Sequence, residues 1–177
     1  MADGQMTKRT ESRVAETEFR TDSVIIPPKG KPRLWFAAAT LAFLLDRLLK
    51  TAAIARGVDP SPGAIAFTLF RNTGIAFSLP LPSGIFWPAA AAIFAVLAWL
   101  FVRSLPKDKM RAGMLAMIIL GAASNLIDRY MYGSTTDYLL FFGRSAINVA
   151  DAMIVVGLAA LFGHAAKQDK PAVHATQ

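Results

Sequence analysis

The sequence predicts an all-α membrane protein: four transmembrane helices with a small extracytoplasmic β-element between helices 1 and 2. Three observations lead there. Of the 177 residues, 54% are hydrophobic, and the mean hydropathy is +0.42, whereas a soluble domain is about 45–50% apolar. The apolar residues gather in four long runs, as membrane spans require. The basic residues behind the net charge of +7 flank those runs, which suits topology and anionic lipid better than nucleic acid. Cysteine is absent, which excludes disulfides, thiolate catalysis, zinc–thiolate sites and cysteine lipidation of this chain.

Residues 1–32 are polar and mixed in charge, close on Pro27-Pro28-Lys29-Gly30-Lys31-Pro32, and contain no apolar h-region. They are expected to form a disordered cytoplasmic tail. The first span is expected over about Leu34 to Ala55, its second half interrupted by Asp46, Arg47 and Lys50. The second, about Ile85 to Val102, carries no charge, and the third, about Ala112 to Ile127, is short and contains Asn125. The fourth runs from about Ala146 to Phe162. Each approaches the roughly 20 residues that cross a bilayer. Residues 167–177 form a C-terminal tail.

Charge orients the spans. Lys29, Lys31 and Arg33 precede the first; Arg103, Lys107, Lys109 and Arg111 join the second to the third; Lys167 and Lys170 follow the fourth. With four spans these clusters share one side, which the positive-inside rule makes cytoplasmic. Both termini are then cytoplasmic. Asp46, Asn125, Asp128, Asp137, Asn148 and Asp151 consequently gather near one outer interface. The outer connection over residues 56–84 holds apolar runs on either side of Asn72-Thr73-Gly74, which reads as a short β-hairpin or small curved sheet capping the helices.

The polar residues near that interface carry the functional signal. A carboxylate near a bilayer is costly and marks a site by default. Asp137 and Asp151 lie a short loop apart, which suggests a pair sharing one proton and able to activate water. Asn148 and Asp151 are three apart on a helix, and Asn125 and Asp128 repeat that spacing, so each amide can orient a carboxylate. A single such pair serves equally as polar glue between helices. Asp46 and Lys50 are spaced for an ion pair or for interfacial snorkelling. Arg129 reads as an interfacial anchor or a substrate contact, and Asn72 as ordinary turn chemistry.

Other hydrolytic chemistries lack their residues. The only histidines, His164 and His174, fall at the cytoplasmic end, and no His-Glu-X-X-His or Gly-X-Gly-Asp motif occurs. That disfavours a zinc protease, an outer Ser–His dyad and a presenilin-like site. A Ser78–Lys50 pair is conceivable, but its spacing does not recommend it.

At these residues the chain resembles the bacterial lipoprotein signal peptidases (signal peptidase II). Their first motif, Asp-Gln-X-Thr/Ser-Lys, corresponds to Asp46-Arg-Leu-Leu-Lys50; the second, Asn-X-Gly-X-Ala-Phe, to Asn72-Thr-Gly74-Ile-Ala76-Phe77. The third, Gly-Asn-X-X-Asp-Arg, corresponds to Ser124-Asn125-Leu-Ile-Asp128-Arg129. The fourth, Val-Val-Asp-Phe, reads Thr135-Thr136-Asp137-Tyr138, and the fifth, Phe-Asn-X-Ala-Asp, reads Ile147-Asn148-Val-Ala150-Asp151. Arg47 thus replaces Gln, Leu49 a hydroxyl residue, Ser124 a Gly and Ile147 a Phe, and the loop between the two aspartates is short.

The resemblance implies four transmembrane helices with a periplasmic β-cradle. It also implies an aspartyl peptidase domain over residues 33–166 with Asp137 and Asp151 as catalytic dyad and no metal or cofactor. Asn72, Gly74, Asn125, Asp128, Arg129, Asn148, Asp46 and Lys50 are then supporting or substrate-binding residues. The implied substrate is a prolipoprotein with a diacylglyceryl-modified cysteine just after the scissile bond, cleaved at the outer face of the cytoplasmic membrane. Membrane lipids are the other partner, nucleic acid is not one, and the enzyme is expected to be a monomer. The rival readings are a small proton-coupled transporter, which would spread carboxylates through the membrane depth, and a non-catalytic membrane scaffold.

Overall fold

The first helix starts where proline permits and stops where glycine demands. In the computed structural model, which describes residues 31–59, 63–74 and 83–168, α1 spans Pro32–Arg56, with Pro32 in the first turn and Gly57 beyond the last at φ 79°. Pro32 needs no N–H partner there, and Gly57 takes a backbone region that side chains avoid. The remaining elements are β1 (Ile65–Asn72), α2 (Ser83–Ser104), α3 (Lys109–Tyr132), β2 (Thr135–Phe141), β3 (Ser145–Ile147) and α4 (Val149–Gln168). The Asp108 side chain caps α3 by accepting the Arg111 N–H at 2.9 Å. Gly133, left-handed at φ 70°, ends α3 and donates to the Arg129 carbonyl.

Of the four helices among the described residues, α2, α3 and α4 are long and apolar enough to cross a membrane. α1 has the length, at 25 residues, and carries Asp46, Arg47 and Lys50 in its second half. Asp46 and Lys50 are fully buried and Arg47 is half-buried, while Leu41, Leu44, Leu45 and Leu48 form the exposed stripe of the same helix. α3 is the central element and packs against α1, α2 and α4. Ala39, Ala116, Met117 and Met153 form a core cluster between α1, α3 and α4, with Trp35, Phe36 and Phe101 against it.

Glycine lets α3 and α4 meet closely, as small residues do at helix crossings in membranes. A Cβ on Gly121 would lie 2.7 Å from the Ala150 carbonyl oxygen, and one on Gly157 2.6 Å from Ile118. At the opposite end His164 of α4 reaches the Asp108 carboxylate at 2.6 Å, joined by Gln168 at 3.1 Å. Burial pushes the Asp108 carboxyl up, but the Arg111 N–H, His164 and Gln168 outweigh it and leave it below its ordinary value.

Two boundaries differ from the sequence expectation, each for a local reason. α3 continues through Tyr132 because nothing breaks it before Gly133. α4 begins at Val149, since Ser145–Ile147 forms β3. The described sheet is three-stranded in the order β1-β2-β3, a small sheet as expected, and the second arm of a hairpin around Asn72 would fall outside the described residues. β1 pairs antiparallel with β2 from Ile65↔Phe141 to Asn72↔Thr135, with a register shift between Phe67 and Phe70. The α1–α2 and α3–α4 connections therefore build one sheet together. β2 and β3 are joined by a tight turn in which Phe142 and Gly143 take φ of 50° and 66°, the signs a type I′ turn requires. The apolar stretch after Gly74, with Ala76, Phe77 and Ser78, lies outside the described residues, as do the tail through Lys29 and the end with Lys170 and His174.

The close α3–α4 approach generates a stability test. Gly121→Ala should destabilise the fold by about 1–3 kcal/mol, because backbone must move to admit the methyl group. Gly163→Ala, which meets nothing within 4 Å, should be neutral or stabilising by up to about 1 kcal/mol. Thermal unfolding of both variants in detergent micelles checks the contrast.

Candidate active site

A buried charge must be paired or it shifts to its neutral form. The second half of α1 supplies such charges and α3 supplies their partners. The fully buried Lys50 ammonium lies 3.1 Å from Asp46 Oδ2 and 2.9 Å from Asp128 Oδ2. It also donates to Asn125 Oδ1 at 2.8 Å. Arg47 Nη1 closes on the other Asp128 oxygen at 2.6 Å, and the Thr136 backbone N–H reaches Asp128 Oδ2 at 3.0 Å. Asp46 accepts the Ser124 hydroxyl at 2.6 Å and the Tyr138 hydroxyl at 2.9 Å. Two carboxylates and two cations thus form one quartet between α1 and α3, bonded to β2 and buried except for the half-buried Arg47.

The N-terminus of α4 is built onto this quartet. The first-turn N–H groups of a helix lack internal partners, and here side chains take three in succession. Val149 N–H donates to Tyr138 Oη at 2.8 Å, Ala150 N–H to Asp46 Oδ1 at 3.0 Å and Asp151 N–H to Asn148 Oδ1 at 2.8 Å. Asn148 backbone N–H returns to Asp151 Oδ2 at 3.3 Å. Asn148-X-X-Asp151 is therefore a reciprocal capping box. The shared face expected for this pair becomes, in the structure, the start of the helix itself.

Asp137 faces that cap from β2 and is 1% exposed. Its Oδ1 accepts Asn148 Nδ2 at 2.5 Å, and its Oδ2 accepts Asn72 Nδ2 at 3.1 Å. Asp151 Oδ1 accepts Asn125 Nδ2 at 2.8 Å. Burial pushes the Asp137 carboxyl up to about 6, helped by the charge of Asp151 and opposed by the Asn72 and Asn148 bonds and by Lys50. Burial likewise raises the Tyr138 phenol above its ordinary value, so it stays a neutral donor to Asp46.

Asp46, Lys50, Asn72, Asn125, Asp128, Asp137, Asn148 and Asp151 are thus linked through direct hydrogen bonds and ion pairs. Gly74 and Arg129 stand at the rim: Arg129 donates to the Gly74 carbonyl and lies 4.8 Å over the Phe86 ring. Asn72 Oδ1 accepts the Gly74 N–H at 3.1 Å, which closes the turn and aims the Asn72 amide at Asp137. Sequence reasoning missed Tyr138, Ser124 and Thr136. Strand alternation was the available signal for Tyr138, since it sets Tyr138 on the face opposite Asp137.

Comparison with known proteins agrees with this arrangement. The family model described as signal peptidase (SPase) II matches residues 38–167. The chain belongs to the signal peptidase II family. The lipoprotein signal peptidase of Teredinibacter turnerae is 34% identical over 140 residues, covering 72% of this chain and 83% of that protein. The Neisseria gonorrhoeae one is 35% identical over 145 residues, covering 72% and 85%. The Ectopseudomonas mendocina one is 30% identical over 158 residues, covering 81% and 94%. A bacterial membrane enzyme solved by the in meso method at 2.3 Å resolution superposes with a TM-score of 0.62 at 20% identity, over 82% of this chain and 94% of that one, and shares the fold. As a signal peptidase II family member the chain is a membrane protease, and the matched residues hold every linked side chain described above.

Asp137 makes stability depend on pH. Its folded value of about 6 lies above the roughly 3.9 of an unfolded chain. The fold therefore holds this proton more tightly, and the contribution is complete below about pH 4 and lost as pH rises through 6. Asp137→Asn should consequently unfold at higher temperature than the parent at pH 8, by the equivalent of about 2–3 kcal/mol. The two should converge at pH 4. A pH series of melting curves checks the sign.

Proposed function

We propose that this signal peptidase II family member is an intramembrane aspartyl endopeptidase that removes the signal peptide from diacylglyceryl-modified prolipoproteins. The observation that carries the reading is Asn148. Its side chain donates to Asp137 and its backbone to Asp151, so one residue brackets both carboxylates. Close carboxylates do not both ionise cheaply, and such a pair shares a proton and titrates as a unit. The ionised member takes a proton from water, and the resulting oxygen nucleophile adds to the scissile carbonyl carbon. The protonated member donates to the carbonyl oxygen. Collapse of the tetrahedral species breaks the C–N bond, and a dyad proton passes to the departing amine. Asn125 and Asn72 hold the two carboxylates in line, and no metal or cofactor enters any step. Both carboxylates come from one chain, so a monomer suffices.

The membrane reading extends to four spans, because α1 turns its charges inward and its leucines outward. Arg33, Arg103, Lys107, Lys109, Arg111 and Lys167 then share the cytoplasmic side, and the dyad lies toward the exterior, where the lipid chains of a substrate remain in the bilayer. The carboxylates gather at one end of the bundle, which favours a hydrolytic site over the relay through the membrane depth that a proton-coupled transporter needs.

Reporter fusions should place both termini in the cytoplasm. An external C-terminus would put the dyad on the wrong side for an exported substrate and overturn the assignment.

Asp137→Asn and Asp151→Asn should each reduce cleavage of a lipidated precursor about 10²–10⁴-fold in folded, membrane-inserted protein, with precursor accumulating in cells. Asp46→Asn should act mainly through folded yield. Normal cleavage by both dyad variants would sink the aspartyl mechanism.

A further inference from the structure

Arg47 and Ser124 are two positions at which the chain departs from the motifs it otherwise resembles, and in the structure they touch. Arg47 Nη1 lies 3.3 Å from the Ser124 carbonyl oxygen and 3.4 Å from its hydroxyl, while holding Asp128 Oδ1 at 2.6 Å. Ser124 Oγ gives its proton to Asp46 at 2.6 Å, so its lone pairs face the cations, with Lys50 also at 3.4 Å. A Gln at 47 would bring no charge to Asp128, and a Gly at 124 would bring no hydroxyl to Asp46.

The consequence reaches the dyad through Lys50. Its ammonium is divided among Asp46, Asp128 and Asn125. A lysine only donates, so its bond at 2.8 Å fixes Asn125 Oδ1 on the Lys50 side and turns Asn125 Nδ2 to Asp151, also at 2.8 Å. With Arg47 present, Asp128 has a second cation and the quartet is neutral. Without that charge, one ammonium serves two buried carboxylates. The quartet then turns negative beside the dyad, and Lys50 is drawn from Asn125.

We propose that Arg47, seated by Ser124, is a positioning residue of the dyad, neutralising Asp128 so that Lys50 is free to hold Asn125 against Asp151. The proposal rests on the dyad reading above. Arg47 touches neither dyad carboxylate and acts only through Asp128 and Lys50. The other titratable and charged groups around the dyad are Asp46 and Lys50 from α1, Arg71 from β1, Asp128 and Arg129 from α3 and Tyr138 from β2.

The test is the pH profile of precursor cleavage by purified full-length protein in lipid nanodiscs. Arg47→Gln adds net negative charge near the dyad and should move the profile up by about 0.5–1 pH unit, since buried charges still interact at this range. It should lower kcat more than it alters KM. Asp128→Asn removes a negative charge and should move the profile down. Arg47→Lys keeps the charge and should restore the parent profile. A merely structural role lowers yield and amplitude but moves nothing in opposite directions. An unmoved Arg47→Gln profile, with Asp137→Asn inactive in the same assay, would overturn the positioning role and leave the dyad standing. Cleavage by Asp137→Asn would remove the dyad itself. Should Asp128→Asn fail to fold, the Arg47→Gln and Arg47→Lys pair decides alone.

Discussion

A lysine ammonium without solvent, held between two carboxylates, is the constraint on which the rest of this structure depends. Lys50 and its partners Asp46 and Asp128 are all fully buried, while α1 exposes Leu41, Leu44, Leu45 and Leu48. Burying one such ion alone costs several kcal/mol, and removing one partner of a buried set costs about 3–5 kcal/mol. The set is tolerable because each oxygen has further donors: Ser124, Tyr138 and the Ala150 N–H for Asp46, Arg47 and the Thr136 N–H for Asp128. Those donors come from α1, α3, β2 and α4. Satisfying one buried cation therefore fixes the relative positions of four elements.

The same bonds place the two carboxylates of the proposed dyad. Asp151 is oriented because Asn148 caps α4, and α4 starts at Val149 because Tyr138, Asp46 and Asn148 take its first free N–H groups. Asp137 is oriented because β2 pairs with β1, whose last residue, Asn72, lies across from Thr135 and reaches the carboxylate with its amide. Neither aspartate is held by a device dedicated to it. Each is held by what begins a helix or ends a strand, so small errors in fold become errors in the geometry of the two carboxylates.

What was legible in the sequence follows from which interactions are local. The apolar runs, the basic clusters between them and the spacing of Asn125 with Asp128 and of Asn148 with Asp151 are properties of short segments, and four helices followed from them. The sheet was only half legible. A turn at Asn72-Thr73-Gly74 and a strand before it were expected, but β1 finds its partner beyond two helices, at residues 135–141, and strand pairing across that separation leaves no periodic trace. Tyr138 and Ser124 escaped notice for a related reason. Their importance lies in reaching Asp46 from 92 and 78 residues away, and a lone Tyr or Ser in an apolar stretch carries no sign of that. The pairing of Arg47 with Asp128 is of the same kind, since 81 residues separate the partners.

At the proposed dyad, stability and the proposed activity oppose each other. Asp137 is held where its ionised form is disfavoured, because burial and the charge of Asp151 both act on it. The carboxyl therefore holds its proton to higher pH than a free aspartate does, and its ionisation costs the fold stability as pH rises through 6. The quartet beside it works in the other direction. Its charges are matched in number and saturated with hydrogen bonds, so it stabilises the helices only while it stays ionised. Lys50 belongs to both systems, since it neutralises the quartet and also lowers the proton affinity of Asp137. A substitution that unbalanced the quartet would therefore reach Asp137 even without touching it, and proton affinity at the proposed catalytic pair becomes a property of the whole buried network.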